Sequence, residues 1–308
     1  MPIIALSGKQ AAGRPEGTAL AQAAPQGGPW PPRPADRVLA LEQDGAWPWA
    51  GWWRALEFDS EVFGLALGQA ELMHAAAWPG PRAREQGAAL VREMATRTRR
   101  EGLVGLSIRV GEKDFLAAHA LEDAGARLMD ASVTWELALA GMAPPLPLPP
   151  GLELGHWQAA DREALETLAA TSFCDPGACA DRFALDPRLA PGCPELYRRW
   201  LANSLAGEQA DQVLVLRGPE PVGFITLKLA KDNGPAWVVL NAVAQDQRGL
   251  GRYNLLLAHG LAWLADQGAT LARVRTKFSQ RAVIRAWSRQ GARPLAGDLT
   301  FHLWMDKV

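Results

Sequence analysis

The chain has 308 residues, 48% of them hydrophobic and 21% charged, and a formal net charge of −1. This composition is globular, with length enough for two ordinary domains and without the basic excess of a nucleic-acid or anionic-surface binder. No apolar run approaches the ~20 residues of a membrane span, and the N-terminal apolar patch precedes the first lysine, the reverse of a secretory signal. The expected partner is therefore a small molecule, with neither nucleic acid nor membrane, bound by a cytoplasmic monomer or homodimer.

Residues 1 to about 36 are Ala, Gly, Pro and Gln with few large apolar side chains. Too little surface is there to bury, which predicts a flexible tail. Trp47, Trp49, Trp52 and Trp53 follow in one short segment. Such a cluster covers a core edge more readily than it offers a platform for sugars or bases, although a carbohydrate-binding protein is one reading of it. A first α/β unit over 37–141 then runs strand (Leu65 to Leu72), helix (Arg84 to Arg100), strand (Leu103 to Val110), helix (Lys113 to Ala124) and strand (Leu128 to Leu139), from apolar spacing and from Gly102 and Gly125 as helix stops. The proline run Met142 to Gly151 is extended and cannot join a central ladder, so it reads as a linker between domains.

The second unit, 152–308, opens with a strand at Leu152 to His156 and a helix from Ala159 to Ser172. A long polar loop from Phe173 to Pro194 holds Cys174, Cys179 and Cys193. Three cysteines without CxxC spacing predict neither a disulfide framework nor a metal site. A helix over Glu195 to Leu205 carries Tyr197 and Trp200. Two hairpin strands, Gln212 to Arg217 and Val222 to Leu229, precede the stretch on which the function turns.

That stretch is VVLNAVAQDQRGLGRYNLLL, residues 238 to 257. It reads as an apolar strand ending at Val243, a polar loop from Ala244 to Gly251, and a helix from Arg252. Glycines at 249 and 251 let a ligand approach the backbone, and the helix start presents unpaired N–H groups and the positive end of the helix dipole. Together these make a site for phosphate or pyrophosphate. The loop lacks the three spaced glycines of a dinucleotide fold and the Gly-Lys-Ser/Thr ending of a nucleotide phosphate loop. The remaining elements are a helix to Gln267, a strand (Thr270 to Thr276), a helix (Gln280 to Gln290) and a strand (Thr300 to Met305). Both units end in helix, glycine and strand, at Gly125 and Gly291, as two related half-domains would.

The loop resembles the acyl-CoA pyrophosphate loop of the Gcn-related N-acetyltransferases (GNAT superfamily): an Arg or Gln, two residues, Gly, one residue, and a small residue. Arg248 and Gly251 meet this pattern, and Tyr253 departs from it at the last position. The element order from Leu152 onward is similar to that superfamily's. The resemblance implies an α/β (α+β) fold with a mixed, mostly antiparallel sheet flanked by helices, and a truncated unit of the same kind before it. Asp59 to Gly64, Arg182-Phe183, Tyr197 to Ser204 and Phe301 to Trp304 look like motifs of the dTDP-fucosamine acetyltransferase group, which acetylates a nucleotide-linked amino sugar with acetyl-CoA.

What the resemblance implies for the site is specific. The backbone of Asn241, Ala242 and Val243 would run beside the pantetheine arm, and the N–H groups of Arg248, Gly249, Leu250, Gly251 and Arg252 would hold the pyrophosphate. Gln280 stands where an Asn usually touches the cofactor. Trp287 stands where a Tyr usually protonates the departing thiolate, and an indole N–H donates a hydrogen bond but is no useful acid. Phe63, Arg182, Phe183, Tyr197, Trp200 and Asn203 would line the acceptor side, with the arginine facing a phosphate and the aromatics a base or sugar. Tyr253, at the pyrophosphate end, is read as badly placed for proton donation, and strand residue His302 as more often structural than catalytic. The reaction expected is acetyl transfer to a primary amine, with acetyl-CoA as co-substrate, no metal, and Val243 N–H as oxyanion donor. The alternative is a non-catalytic acyl-CoA-binding module that lacks the usual acid at Trp287.

Overall fold

The computed structural model describes residues 2–16, 36–75, 82–175, 181–230 and 234–306. The chain forms two compact units, one of residues 1–131 with 298–308 and one of residues 132–297. This division differs from boundaries drawn at the proline run. It follows from pairing: the C-terminal strand's last part pairs in the first unit, while the strand before the proline run ends paired in the second.

The first unit contains β1 (Ile3–Ser7), α1 (Gly8–Ala12), β2 (Arg37–Gln43), β3 (Ala46–Ala55), α2 (Glu57–Phe63), β4 (Leu67–His74), α3 (Ala83–Arg100), β5 (Gly105–Gly111) and α4 (Phe115–Asp123). β6 (Arg127–Ala138) follows, and β12 (Arg293–Trp304) returns to the unit at its end. Its sheet runs β1-β2-β3-β4-β5-β12, antiparallel except for the parallel pair β4–β5. The N-terminus is not wholly a tail: Ile3 to Ser7 pairs with Arg37 to Leu41, and Ser7 caps α1 through a reciprocal pair of hydrogen bonds with Gln10. Its apolar residues are few, but they sit where an edge strand needs them. Residues 17–35 of the expected tail lie outside the described residues. All four clustered tryptophans are 3% exposed or less. Trp49 and Trp53 pack against α3 and α4, while Trp47 and Trp52 pack on the other core with Ala11. They are core residues, which removes the sugar-platform reading.

The second unit contains β7 (Glu153–His156), α5 (Arg162–Cys174), α6 (Arg182–Leu185), α7 (Cys193–Leu205), β8 (Gln212–Arg217), β9 (Pro221–Lys228), β10 (Ala236–Val243), α8 (Arg252–Asp266), β11 (Leu271–Lys277) and α9 (Arg281–Arg289). Its sheet runs β6-β11-β10-β9-β8-β7, antiparallel except for β10–β11. The proline segment is extended, as its composition predicts, and Met142 and Leu148 pack on this unit's core. Alternation along the strands puts Leu214, Leu216, Ile225 and Leu227 on the face that α8 covers, with Val213, Val215 and Phe224 buried on the opposite face.

β10 is irregular. Its register against β9 shifts between Val238 and Asn241, and Leu240 N–H donates to the buried Thr226 Oγ1 at 2.8 Å instead of to the ladder. One inserted residue turns the alternation over, so Val238 and Val243, an odd number of positions apart, both join the α8 core. Among the described residues β10 pairs with β11 only from Ala236 to Val238. Past that point the two parallel strands part. Gly223 on β9 sits opposite Val243, where an added Cβ would lie 2.7 Å from the Ala242 carbonyl oxygen and 2.9 Å from Leu256 Cδ1. Gly223→Ala is therefore expected to destabilise the protein by about 1–3 kcal/mol, read as a lower urea midpoint. An unchanged midpoint would contradict the tight packing described here.

Candidate active site

Both ends of the parted strands carry functional groups. From Val243 the chain makes a short 3₁₀ turn, Gln245–Gln247, and then the loop into α8. Gly249 and Gly251 adopt φ of +80° and +76°, in the left-handed region that a side chain strains. Both are exposed, and Leu250 between them points to solvent at 58% exposure. Arg248 folds back so that its Nε donates to the Val243 carbonyl at 3.3 Å, which ties the loop to the strand end. The amides of Asn254 and Leu255 already return to the Gly251 carbonyl, at 3.0 and 3.3 Å. The preceding N–H groups open the helix, where no intrahelical acceptor exists for them. Arg252 adds a buried Nε with no hydrogen-bond partner among the described residues. The helix start therefore has the free backbone donors and the dipole end that suit an anion.

On the other side of the gap, Gln280 is the N-cap residue of α9, with its amide on the Lys277 carbonyl at 3.0 Å. Trp287 on α9 is fully buried in the α8-side core. Its indole Nε1 donates to the Tyr253 hydroxyl at 3.3 Å. Tyr253 thus reaches from the first turn of α8 to Trp287, a contact that the sequence alone does not show. A side chain at the second helical position can lean across the helix start, and spacing along the chain does not show that.

The opposite face holds the expected acceptor residues. Phe183 and Tyr197 are buried, and Arg182, Trp200 and Asn203 are half-buried. Phe173, Tyr197 and Trp200 form a ladder of near-parallel rings, with centroids 4.5 and 5.8 Å apart. The Arg182 guanidinium lies over the Phe183 ring at 4.1 Å, and its Nε is buried with no hydrogen-bond partner among the described residues. Two residues absent from the sequence reading organise this face. Asp181 accepts from the Tyr197 hydroxyl and from the Arg182 amide, and Lys277 Nζ stands 3.7 Å from its other side. Burial pushes the Asp181 carboxyl up, but Arg182, Lys277 and the Tyr197 hydrogen bond outweigh it, and the net shift is downward. It is thus an ionised anchor rather than a base at neutral pH. An aspartate just before a short helix hints at a cap, but only the fold brings Lys277 to it.

The loop carries one further correction. Cys174 and Cys193 are joined in a disulfide, with Cα atoms 6.0 Å apart. The pair ends α5 and starts α7, and these helices pack side by side, which brings together cysteines that no sequence spacing links. Phe63, the last residue of α2, and His302, buried on β12, belong to the first unit. Among the described residues no group of three or more His, Cys, Asp or Glu is placed to hold a metal, and no helix is long and apolar enough to cross a membrane.

Solved structures share the overall fold. The chain has a GNAT acetyltransferase fold. It superposes on a GCN5-related N-acetyltransferase from Sphaerobacter thermophilus with TM-score 0.66 and 15% identity, over 99% of this chain and 97% of that one. A tandem GNAT protein from the clavulanic acid biosynthesis pathway superposes with TM-score 0.59 and 14% identity, over 99% and 98%. In sequence the chain is 27% identical over 207 residues to the spore coat polysaccharide biosynthesis protein SpsD of Bacillus subtilis (strain 168), covering 65% of this chain and 66% of SpsD. No protein-family model matches it.

Replacing Asp181 by Ala removes a buried carboxylate from beside Lys277 and the Tyr197 hydroxyl. Loss of about 3 kcal/mol is expected at neutral pH, the usual cost of breaking one side of a buried pair. A carboxylate whose folded pKa is depressed stabilises the protein above its unfolded value, and that contribution fades as pH falls through the folded one. The gap between wild type and Asp181→Ala in denaturant titrations should therefore narrow in acid. A gap that is constant with pH would contradict the ionised anchor.

Proposed function

We propose that this chain is an acyl-CoA-dependent N-acetyltransferase, which moves the acetyl group of acetyl-CoA to a primary amine in a ternary complex. The observation that carries this reading is the divergence of β10 from β11 beside the Arg248–Arg252 loop. In this reading an extended arm enters the gap and pairs its amides with the backbone of Asn241 to Val243, as a strand would. The loop N–H groups and Arg252 suit a pyrophosphate at the arm's end, and Gln280 stands across the gap.

The chemistry needs a neutral amine, a polarised thioester carbonyl and a stabilised thiolate. An amine of pKa about 8 is partly neutral at pH 7 without a strong base. The Val243 N–H is our assignment for the oxyanion donor. For the acceptor we infer an amino sugar carrying an anionic, nucleotide-like group. Arg182 offers the charge, and the Phe173–Tyr197–Trp200 ladder offers a stacking face. The partial likeness to SpsD, a polysaccharide-biosynthesis protein, fits a sugar acceptor.

Isothermal titration with acetyl-CoA should give saturable binding, and Gly251→Glu should weaken it at least ~10-fold by placing charge and bulk against the pyrophosphate. Gly251 is exposed and its added Cβ would meet nothing within 4 Å, but a side chain at its φ of +76° costs about 1–2 kcal/mol, so a thermal melt of the variant accompanies the titration to show that it is folded. Absence of heat with the folded wild-type protein, or equal affinity of the variant, would sink the reading.

A further inference from the structure

We propose that Tyr253, held by the indole N–H of Trp287, donates a hydrogen bond from its phenol to the sulfur of bound CoA and stabilises the thiolate that forms as the acyl group leaves. This rests on the acyl-CoA reading above. Under that reading the pyrophosphate sits on the first turn of α8 and the arm runs toward α9. Tyr253 spans these two places, with its backbone in that first turn and its Oη 3.3 Å from Trp287 Nε1 on α9.

Three observations single out the phenol. Trp287 is fully buried, and its one N–H is spent on Tyr253, so the indole has no donor left for a ligand. The Tyr253 oxygen accepts that bond, and among the described residues nothing accepts the phenol's own proton. The phenol is partly buried, and its hydrogen remains free to be given to a ligand. Finally, Tyr253 packs against the core to which α8 and α9 both contribute. Burial raises the phenol's pKa and the Trp287 hydrogen bond partly offsets this, with no charged side chain acting on it. The group therefore keeps its proton and acts as a hydrogen-bond donor.

The step balances. The amine nitrogen forms a bond to the acyl carbon, the carbon–sulfur bond breaks, and its electron pair goes to sulfur. Sulfur departs as a thiolate that accepts a hydrogen bond from the Tyr253 phenol, and the proton that the acceptor nitrogen releases passes to solvent, from which the thiol is re-formed. Trp287 is then a positioning residue, whose N–H holds the phenol oxygen and leaves its O–H for sulfur.

The test uses free CoA and needs no acceptor. The ultraviolet absorbance of the thiolate is followed against pH for CoA bound to wild type, Tyr253→Phe and Trp287→Phe, with acetyl-CoA binding measured alongside. A hydrogen bond to the thiolate should make wild type favour it about tenfold, lowering the bound thiol's pKa by about one unit relative to Tyr253→Phe. Acetyl-CoA should bind these two proteins alike, and Trp287→Phe should give a smaller shift in the same direction. Equal thiol pKa values in wild type and Tyr253→Phe would overturn the proposal. So would equal weakening of CoA and acetyl-CoA by Tyr253→Phe, which marks a packing role. Binding of neither ligand by the wild-type protein would overturn the acyl-CoA reading and this assignment with it.

Discussion

The second unit depends on one constraint: β10 cannot follow β11 beyond Val238. The inserted residue that Thr226 Oγ1 accommodates turns β10 over, swings its C-terminal half toward β9, and delivers Val243 to the α8 side of the sheet. Everything at the site is placed by that divergence. The loop from Ala244 to Gly251 leaves the strand end in a direction that the two left-handed glycines then correct into α8. Arg248 secures the correction from its own side by holding the Val243 carbonyl. A regular parallel pair would close the gap and leave the helix start facing a finished sheet.

The opposite face is held by ties of two kinds. The connection from α5 to α7 is fastened covalently by Cys174–Cys193 at its ends and ionically by Asp181 near its middle. Asp181 also joins this connection to Lys277, at the end of the strand that parts from β10. Lys277 alternates onto this face because Ala272 and Val274 occupy the other. The aromatic ladder of Phe173, Tyr197 and Trp200 is thereby kept in register with the sheet, since its central ring is the one whose hydroxyl is anchored. In our proposal a rigid acceptor wall of this kind positions an amine without supplying a base.

Much of this was legible in the sequence, for reasons that can be named. Glycine at 249 and 251 after an apolar strand and before an apolar helix announces the loop, because backbone conformation there admits little else. Trp49 and Trp53 were correctly weighed as core, because large rings on a strand have nowhere cheaper to go. The misses share a cause. The β1 strand is too short and too plain to be seen without the β2 edge that it completes. Asp181–Lys277 and Cys174–Cys193 join positions whose proximity is a property of the fold rather than of spacing. The Tyr253–Trp287 hydrogen bond is of the same kind, because position along α8 gives the place of the Tyr253 Cα and not the lean of its side chain toward α9.

The central claim is that the gap between β10 and β11, with the loop that opens α8, receives acetyl-CoA. Amide hydrogen exchange with and without saturating acetyl-CoA tests it most directly, because it locates the ligand on the backbone without knowledge of the acceptor. The account predicts slowed exchange concentrated in residues 241–254. Slowed exchange confined to other segments, or none at all, would contradict it.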